Sequence, residues 1–123
     1  MSQKILVVDD DANIRKLVEK VLKFKGFEVT IATNGKEALD KVDELIPDLI
    51  LVDGLMPSID GFNFSKQVKK RYKIPIIMMT AVYKQAQYKA RAQEWGIDAY
   101  LTKPFHVSEL MKHITALLGD DIG

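Results

Sequence analysis

Four strand-like runs in this 123-residue chain each give way to residues able to do chemistry. Ile5–Val8 leads into Asp9 and Asp10. The run 48–53 (Asp-Leu-Ile-Leu-Val-Asp) finishes on Asp53, the run 75–79 is closed by Thr80-Ala81, and the run 98–102 leads into Lys103-Pro104. Carboxylates brought together repel one another, and the repulsion raises their affinity for a divalent cation. The set contains no His, and the chain contains no Cys. Hard oxygen donors of this kind favour Mg²⁺, with Mn²⁺ as the alternative, over zinc. A hydroxyl and an ammonium beside such a metal complete a kit for a phosphoryl group: the cations neutralise its oxygens while one carboxylate attacks phosphorus. Taken singly, each member has an ordinary explanation, because Asp beside a strand is a common turn former and Lys-Pro suits a loop. Coincidence is a poor account of the set, in which each member falls at the C-terminal end of a separate run.

These residues meet only if the runs lie side by side and parallel. Between them the apolar spacing changes from continuous to helical. Ile14, Leu17, Val18, Val21 and Leu22 predict a helix over 12–25, stopped by Gly26. A short strand over 27–31 and an Asn34-Gly35 turn precede a second stripe of Ala38, Leu39, Val42, Leu45 and Ile46, ended by Pro47. Phe62, Phe64, Val68 and Tyr72 suit a third helix. Residues 84–95 look helical with only Tyr88, Ala92 and Trp95 as an apolar line, and Val107 to Leu118 form a clear final stripe. Five βα units follow, with no linker or repeat. Strands that are apolar throughout are covered on both faces, which means a parallel sheet between two helical layers. Right-handed crossovers place helices on both sides, and ligands of such sheets sit beyond the carboxyl ends of the strands. The expected class is therefore α/β, a (βα)5 three-layer sandwich.

Composition narrows the function classes. The 18 Lys and Arg residues against 17 Asp and Glu leave a net charge of +1, so a whole-surface field that would draw nucleic acid or an acidic membrane is not expected. Hydrophobic residues at 47% and charged residues at 28% fit a packed domain rather than a disordered one. No apolar run approaches membrane-spanning length, and Met-Ser-Gln-Lys leads straight into a strand pattern without a signal peptide. One domain over 1–123 in the cytoplasm is the expectation.

The pieces Ile-Leu-Val-Val-Asp-Asp at 5–10, Pro-Asp-Leu-Ile-Leu-Val-Asp at 47–53, Met-Pro at 56–57, Asp-Gly at 60–61, Met-Thr-Ala at 79–81 and Tyr-Leu-Thr-Lys-Pro-Phe at 100–105 are together highly specific. Over nearly its full length the chain resembles the receiver domain of bacterial two-component response regulators. The resemblance implies a flavodoxin-like fold with strand order 2-1-3-4-5. It implies Asp53 as phosphoacceptor, with Mg²⁺ held by Asp10, Asp53, the Leu55 backbone carbonyl and, directly or through water, Asp9. It implies that Thr80, with Ala81 beside it, and Lys103 contact the phosphoryl group, that Tyr100 is the switch aromatic, and that the Lys103–Pro104 peptide is cis. A sensor histidine kinase or phosphotransfer protein would be the donor, and an effector protein or output domain the target. Phosphorylation would resettle the surface around the fourth helix, the fifth strand and the last helix. The domain would be a switch rather than a turnover enzyme, a monomer or a phosphorylation-dependent homodimer, without direct contact to nucleic acid or membrane.

Three positions depart from the family pattern. Gly54 follows the acceptor where a side chain is usual, which suggests a loosened loop. Thr80 to Tyr100 is one residue longer than the common spacing. His106 stands where Asp often caps the last helix, so His106 and Glu109 predict a weak capping box. The residues two beyond the acceptor and two beyond the threonine, Leu55 and Val82, are apolar, and slow loss of the phosphoryl group is expected from them. The basic run Lys66, Lys69, Lys70, Arg71 and Lys73 reads as a solvated helix face. Two other classes stay open on the residues alone. One is a receiver-like binding module that is never phosphorylated. The other is a dehalogenase-like phosphatase in which Asp9-x-Asp11 supplies the nucleophile. A flavin-binding flavodoxin fits poorly, because an acidic first loop is a bad phosphate cradle.

Overall fold

The computed structural model describes residues 2–54, 59–81 and 95–119. The expectations placed on Leu55, Met56-Pro57, Val82, Tyr88, Ala92 and most of the segment 84–95 lie outside these residues, as does the tail after Gly119. The described elements are β1 (Lys4–Val8), α1 (Ala12–Phe24), β2 (Glu28–Ala32), α2 (Gly35–Leu45), β3 (Leu49–Asp53), α3 (Gly61–Arg71), β4 (Ile76–Ala81), β5 (Ala99–Lys103) and a C-terminal helix, Val107–Leu118. The five strands form one parallel sheet in the order β2-β1-β3-β4-β5. The flavodoxin-like three-layer fold is thus the one observed.

The strands form because their side chains must be buried on both faces. Ile5 to Val8 and Leu49 to Val52 are at most 1% exposed, and successive residues point to opposite sides. Leu6, Val8, Ile50, Val52 and Met78 pack with Ala38, Val42, Phe62, Phe64 and Val68 of α2 and α3. Ile5, Val7, Leu49, Leu51, Ile77, Met79 and Leu101 pack with Val18 and Leu22 of α1 and with Leu110 and Ile114 of the C-terminal helix. Residue parity along each strand therefore sorts the core into two layers.

Helix starts follow capping chemistry. The Asp11 side chain accepts from the N–H groups of Asn13 and Ile14, Asn34 from Glu37, and Asp60 from Asn63. Each such cap is worth about 1 kcal/mol. At the C-terminal helix the Glu109 carboxylate accepts from the His106 N–H at 3.4 Å, a long bond in keeping with the weak box expected there.

Several boundaries differ from the sequence reading. β2 starts at Glu28, β3 at Leu49 and β5 at Ala99, each one residue later than expected, and β4 runs from Ile76 through Thr80 to Ala81. Asp48 and Asp98 fall just before their strands because their carboxylates bind the neighbouring strand. Asp48 Oδ2 accepts from the Lys4 N–H at 2.7 Å, while its own N–H donates to the Lys4 carbonyl. Asp98 does the same with Ile76: Oδ2 accepts at 2.8 Å and the Asp98 N–H donates back. Leu17, expected in the buried stripe, is 48% exposed; α1 buries Val18 and Leu22 on the sheet. Ile46 leaves the α2 stripe to take a left-handed conformation (φ 46°) as the C-cap, and is exposed.

Candidate functional site

Register brings the chemistry together. β3 pairs Asp53 with Met79, and β4 pairs Thr80 with Thr102 and Ala81 with Lys103. The chemical residues thus end up at one edge of the sheet. Parity then divides them. Asp9, Asp53 and Lys103 continue the odd-numbered face beneath α1 and the C-terminal helix, and Thr80 shares the other face with Met78 and Tyr100.

The Lys103 ammonium stands between two carboxylates, 2.9 Å from Asp9 Oδ2 and 3.3 Å from Asp53 Oδ2. Asp9 is fully buried and Asp53 8% exposed, while Asp10 is open to solvent. One oxygen from each of Asp9, Asp10 and Asp53 lies within 4.8 Å of the others. The second Asp9 oxygen accepts from the Asp11 N–H at 2.9 Å. Burial works against the Lys103 charge. The hydrogen bond to Asp9 and the charges of Asp53 and Asp9 outweigh it, so the Lys103 pKa stands above its ordinary value. Thr80 is 3% exposed. Tyr100 is half-buried and packs on the α2–α3 core. The Lys103–Pro104 peptide is cis.

Two glycines let the backbone close around Asp53. A methyl at Gly61 would overlap the Asp53 carbonyl oxygen and lie 3.0 Å from its carbon, so the first turn of α3 rests directly on the end of β3. At Gly54 an added methyl would lie 3.1 Å from the Met78 sulfur. The Gly54 N–H donates to the Met79 carbonyl at 2.9 Å, and its own carbonyl accepts from Gly61. Gly54 itself is buried and tied on both sides, while the loop after it, on which the expected loosening falls, lies outside the described residues. Phe62, next to Gly61, meets the half-buried Trp95 with ring centroids 4.3 Å apart.

One contact had no signal in the sequence. Arg15, half-buried on α1, donates from Nη1 to the Asp9 backbone carbonyl at 2.7 Å. Nothing in the pattern 12–25 separates it from Lys16, Lys20 or Lys23.

The donor set suits a hard divalent cation: three carboxylates clustered at a sheet edge, one of them open to solvent, with a cation on the far side to limit their mutual repulsion. The family model for the response regulator receiver domain matches residues 5–115. The chain is 39% identical over 116 residues to the probable transcriptional regulator ycf27 of Guillardia theta, a match covering 94% of this chain and 45% of that protein. The chain therefore spans less than half the length of this relative. Among solved structures it is similar to the chemotaxis protein CheY4 of Vibrio cholerae (35% identity, TM-score 0.88, 95% of this chain and 99% of that one). It is also similar to the response regulator TrrA of Thermotoga maritima in complex with Mg²⁺ and BeF (35% identity, TM-score 0.83, 94% and 98%). This chain belongs to the response regulator receiver domain family of two-component signalling.

Proposed function

We propose that this receiver domain, taken as the whole of 1–123, is a phosphorylation switch whose acceptor is Asp53. The observation that carries the reading is the Lys103 ammonium bridging Asp9 and Asp53 within a cluster that Asp10 completes. Asp10 and Asp53, with Asp9 behind them and the Leu55 carbonyl, would hold Mg²⁺ (or Mn²⁺). When bound, the ion supplies positive charge to the oxygens of the transferring group. An Asp53 oxygen attacks phosphorus in line as the bond from phosphorus to a kinase phosphohistidine nitrogen breaks, and the imidazole leaves with that electron pair. Lys103 neutralises a phosphoryl oxygen while Asp9 keeps the ammonium in place. Thr80, with Ala81 beside it, would bind another phosphoryl oxygen, drawing Tyr100, on the same sheet face, inward and resettling the surface around β5 and the C-terminal helix.

The donor would be a sensor histidine kinase or phosphotransfer protein, and the target an effector or an attached output domain. Intact mass after incubation with acetyl phosphate and Mg²⁺ tests the reading. The expected gain is one phosphoryl group, about 80 Da, absent in Asp53→Asn and without Mg²⁺. No gain in the wild-type chain would mean a receiver fold used only as a binding module.

A further inference from the structure

Arg15 has no part in the chemistry proposed above, yet it grips the backbone at the centre of the site. Its Nη1 donates at 2.7 Å to the carbonyl of Asp9, and that carbonyl belongs to the peptide joining Asp9 to Asp10. The remaining polar groups of Asp9 are also committed. Its N–H donates to the Ala32 carbonyl at 3.2 Å, Oδ1 accepts from Asp11 and Oδ2 from Lys103. Asp10, by contrast, is exposed, so the direction of its carboxylate depends on the backbone on either side. On one side that backbone is held by Arg15; on the other, the Asp11 N–H is held by Asp9.

We propose that Arg15 is a positioning residue for divalent-ion binding: it locks the Asp9–Asp10 peptide so that the Asp10 carboxylate faces Asp9 and Asp53. The proposal rests on the reading of this cluster as a Mg²⁺ site. Electrostatics and positioning predict opposite signs here. Removing a positive charge held at the Asp9 carbonyl tightens a nearby cation if charge alone matters, and weakens it if orientation matters. The two also differ in ion preference. Mg²⁺ demands near-ideal octahedral geometry, whereas Ca²⁺ accepts looser arrangements. Lysine cannot replace the planar guanidinium fork, although it keeps the charge.

The test is calorimetric titration of the chain with MgCl₂ and with CaCl₂ in Arg15→Gln, Arg15→Lys and Asp10→Asn, with urea midpoints measured alongside. Arg15→Gln is expected to weaken Mg²⁺ about tenfold, the size typical of losing a partner that orients a ligand, and to weaken Ca²⁺ distinctly less. Arg15→Lys should fall between Gln and the wild type. Mg²⁺ affinity in folded Arg15→Gln equal to or tighter than wild type overturns the assignment, even if the urea midpoint drops. Should Arg15→Gln fail to fold, unchanged Mg²⁺ affinity in Arg15→Lys overturns it. If the wild-type chain binds no Mg²⁺, the metal reading fails and this proposal with it. If wild type binds Mg²⁺, Asp10→Asn does not, and Arg15→Gln binds as wild type does, this proposal alone fails.

Discussion

The two edges of the sheet use the same residue for opposite ends. At the edge where the strands begin, Asp48 and Asp98 each give a carboxylate to the first N–H of the adjacent strand and return a backbone bond. Those charges are satisfied by the fold, and Asp98 also holds the Lys69 ammonium at 2.8 Å. At the edge where the strands finish, Asp9, Asp10 and Asp53 face one another, with Lys103 as partial compensation. Carboxylates spent on the backbone stabilise; carboxylates aimed at one another cost stability and store affinity for a cation. The difference lies in whether a neighbouring strand offers an unpaired N–H.

Substitutions should separate the edges. The largest effect belongs to Asp53→Asn, which should abolish phosphoryl incorporation in the acetyl phosphate assay while leaving the Tm without Mg²⁺ near or above wild type. A large fall in that Tm would place Asp53 with the structural aspartates. Asp98→Ala comes next. It leaves the Ile76 N–H unpaired at a residue buried completely, and a loss of about 2 kcal/mol is expected from urea denaturation. Asp98→Asn, which keeps an acceptor, should lose less. The Lys4 N–H bound by Asp48 is exposed, so Asp48→Ala should cost only about 1 kcal/mol. Neither clasp variant should alter Mg²⁺ affinity.

At the other edge, Asp10→Asn relieves like-charge repulsion. A gain of about 0.5 kcal/mol is expected without metal, together with loss of the stabilisation that added Mg²⁺ gives the wild type. A loss of stability there would show that Asp10 is structural after all.

The smallest effect lies between α2 and α3. The Asp43 carboxylate takes the Tyr72 hydroxyl at 2.8 Å and the Arg71 guanidinium at 2.6 Å. The hydrogen bond from Tyr72 lowers the Asp43 pKa most; slight burial opposes it, and Arg71 adds to the lowering. A depressed carboxylate contributes stability above its unfolded pKa and loses it as pH falls through the folded value. The contribution thus disappears only in acid, below the ordinary carboxylate range. In Tyr72→Phe, NMR titration should find Asp43 moved up toward that range, with the neutral-pH urea midpoint hardly changed because the pair is exposed.

Element types, and the edge at which chemistry would gather, could be read from the chain because they are local. Continuous apolar runs predict covered strands, helical stripes predict the layers, and Asp, Thr and Lys at run ends mark one side of the sheet. The alternation of the strands could have gone further, since Asp9, Asp53 and Lys103 share odd parity with the α1-side core and Thr80 shares even parity with Tyr100. Other features had no local signature. The close fit of Gly54 itself shows only in its packing against Met78. Leu17 fitted the helical stripe, but sheet curvature and the neighbouring helices decide how wide a stripe is covered.

By itself the order of residues determined the α/β class, the five strands and which polar groups stand at the strand ends, since propensity, periodicity and capping act over a few residues. Tertiary structure alone decided which oxygen of Asp9 meets Lys103, 94 residues away, that Asp48 and Asp98 bind backbone while Asp10 is left open, and that Arg15 reaches the Asp9 carbonyl. Those outcomes depend on the register of strands distant in the chain and on the few ångströms over which a hydrogen bond forms. Neither quantity is encoded in any short window of residues.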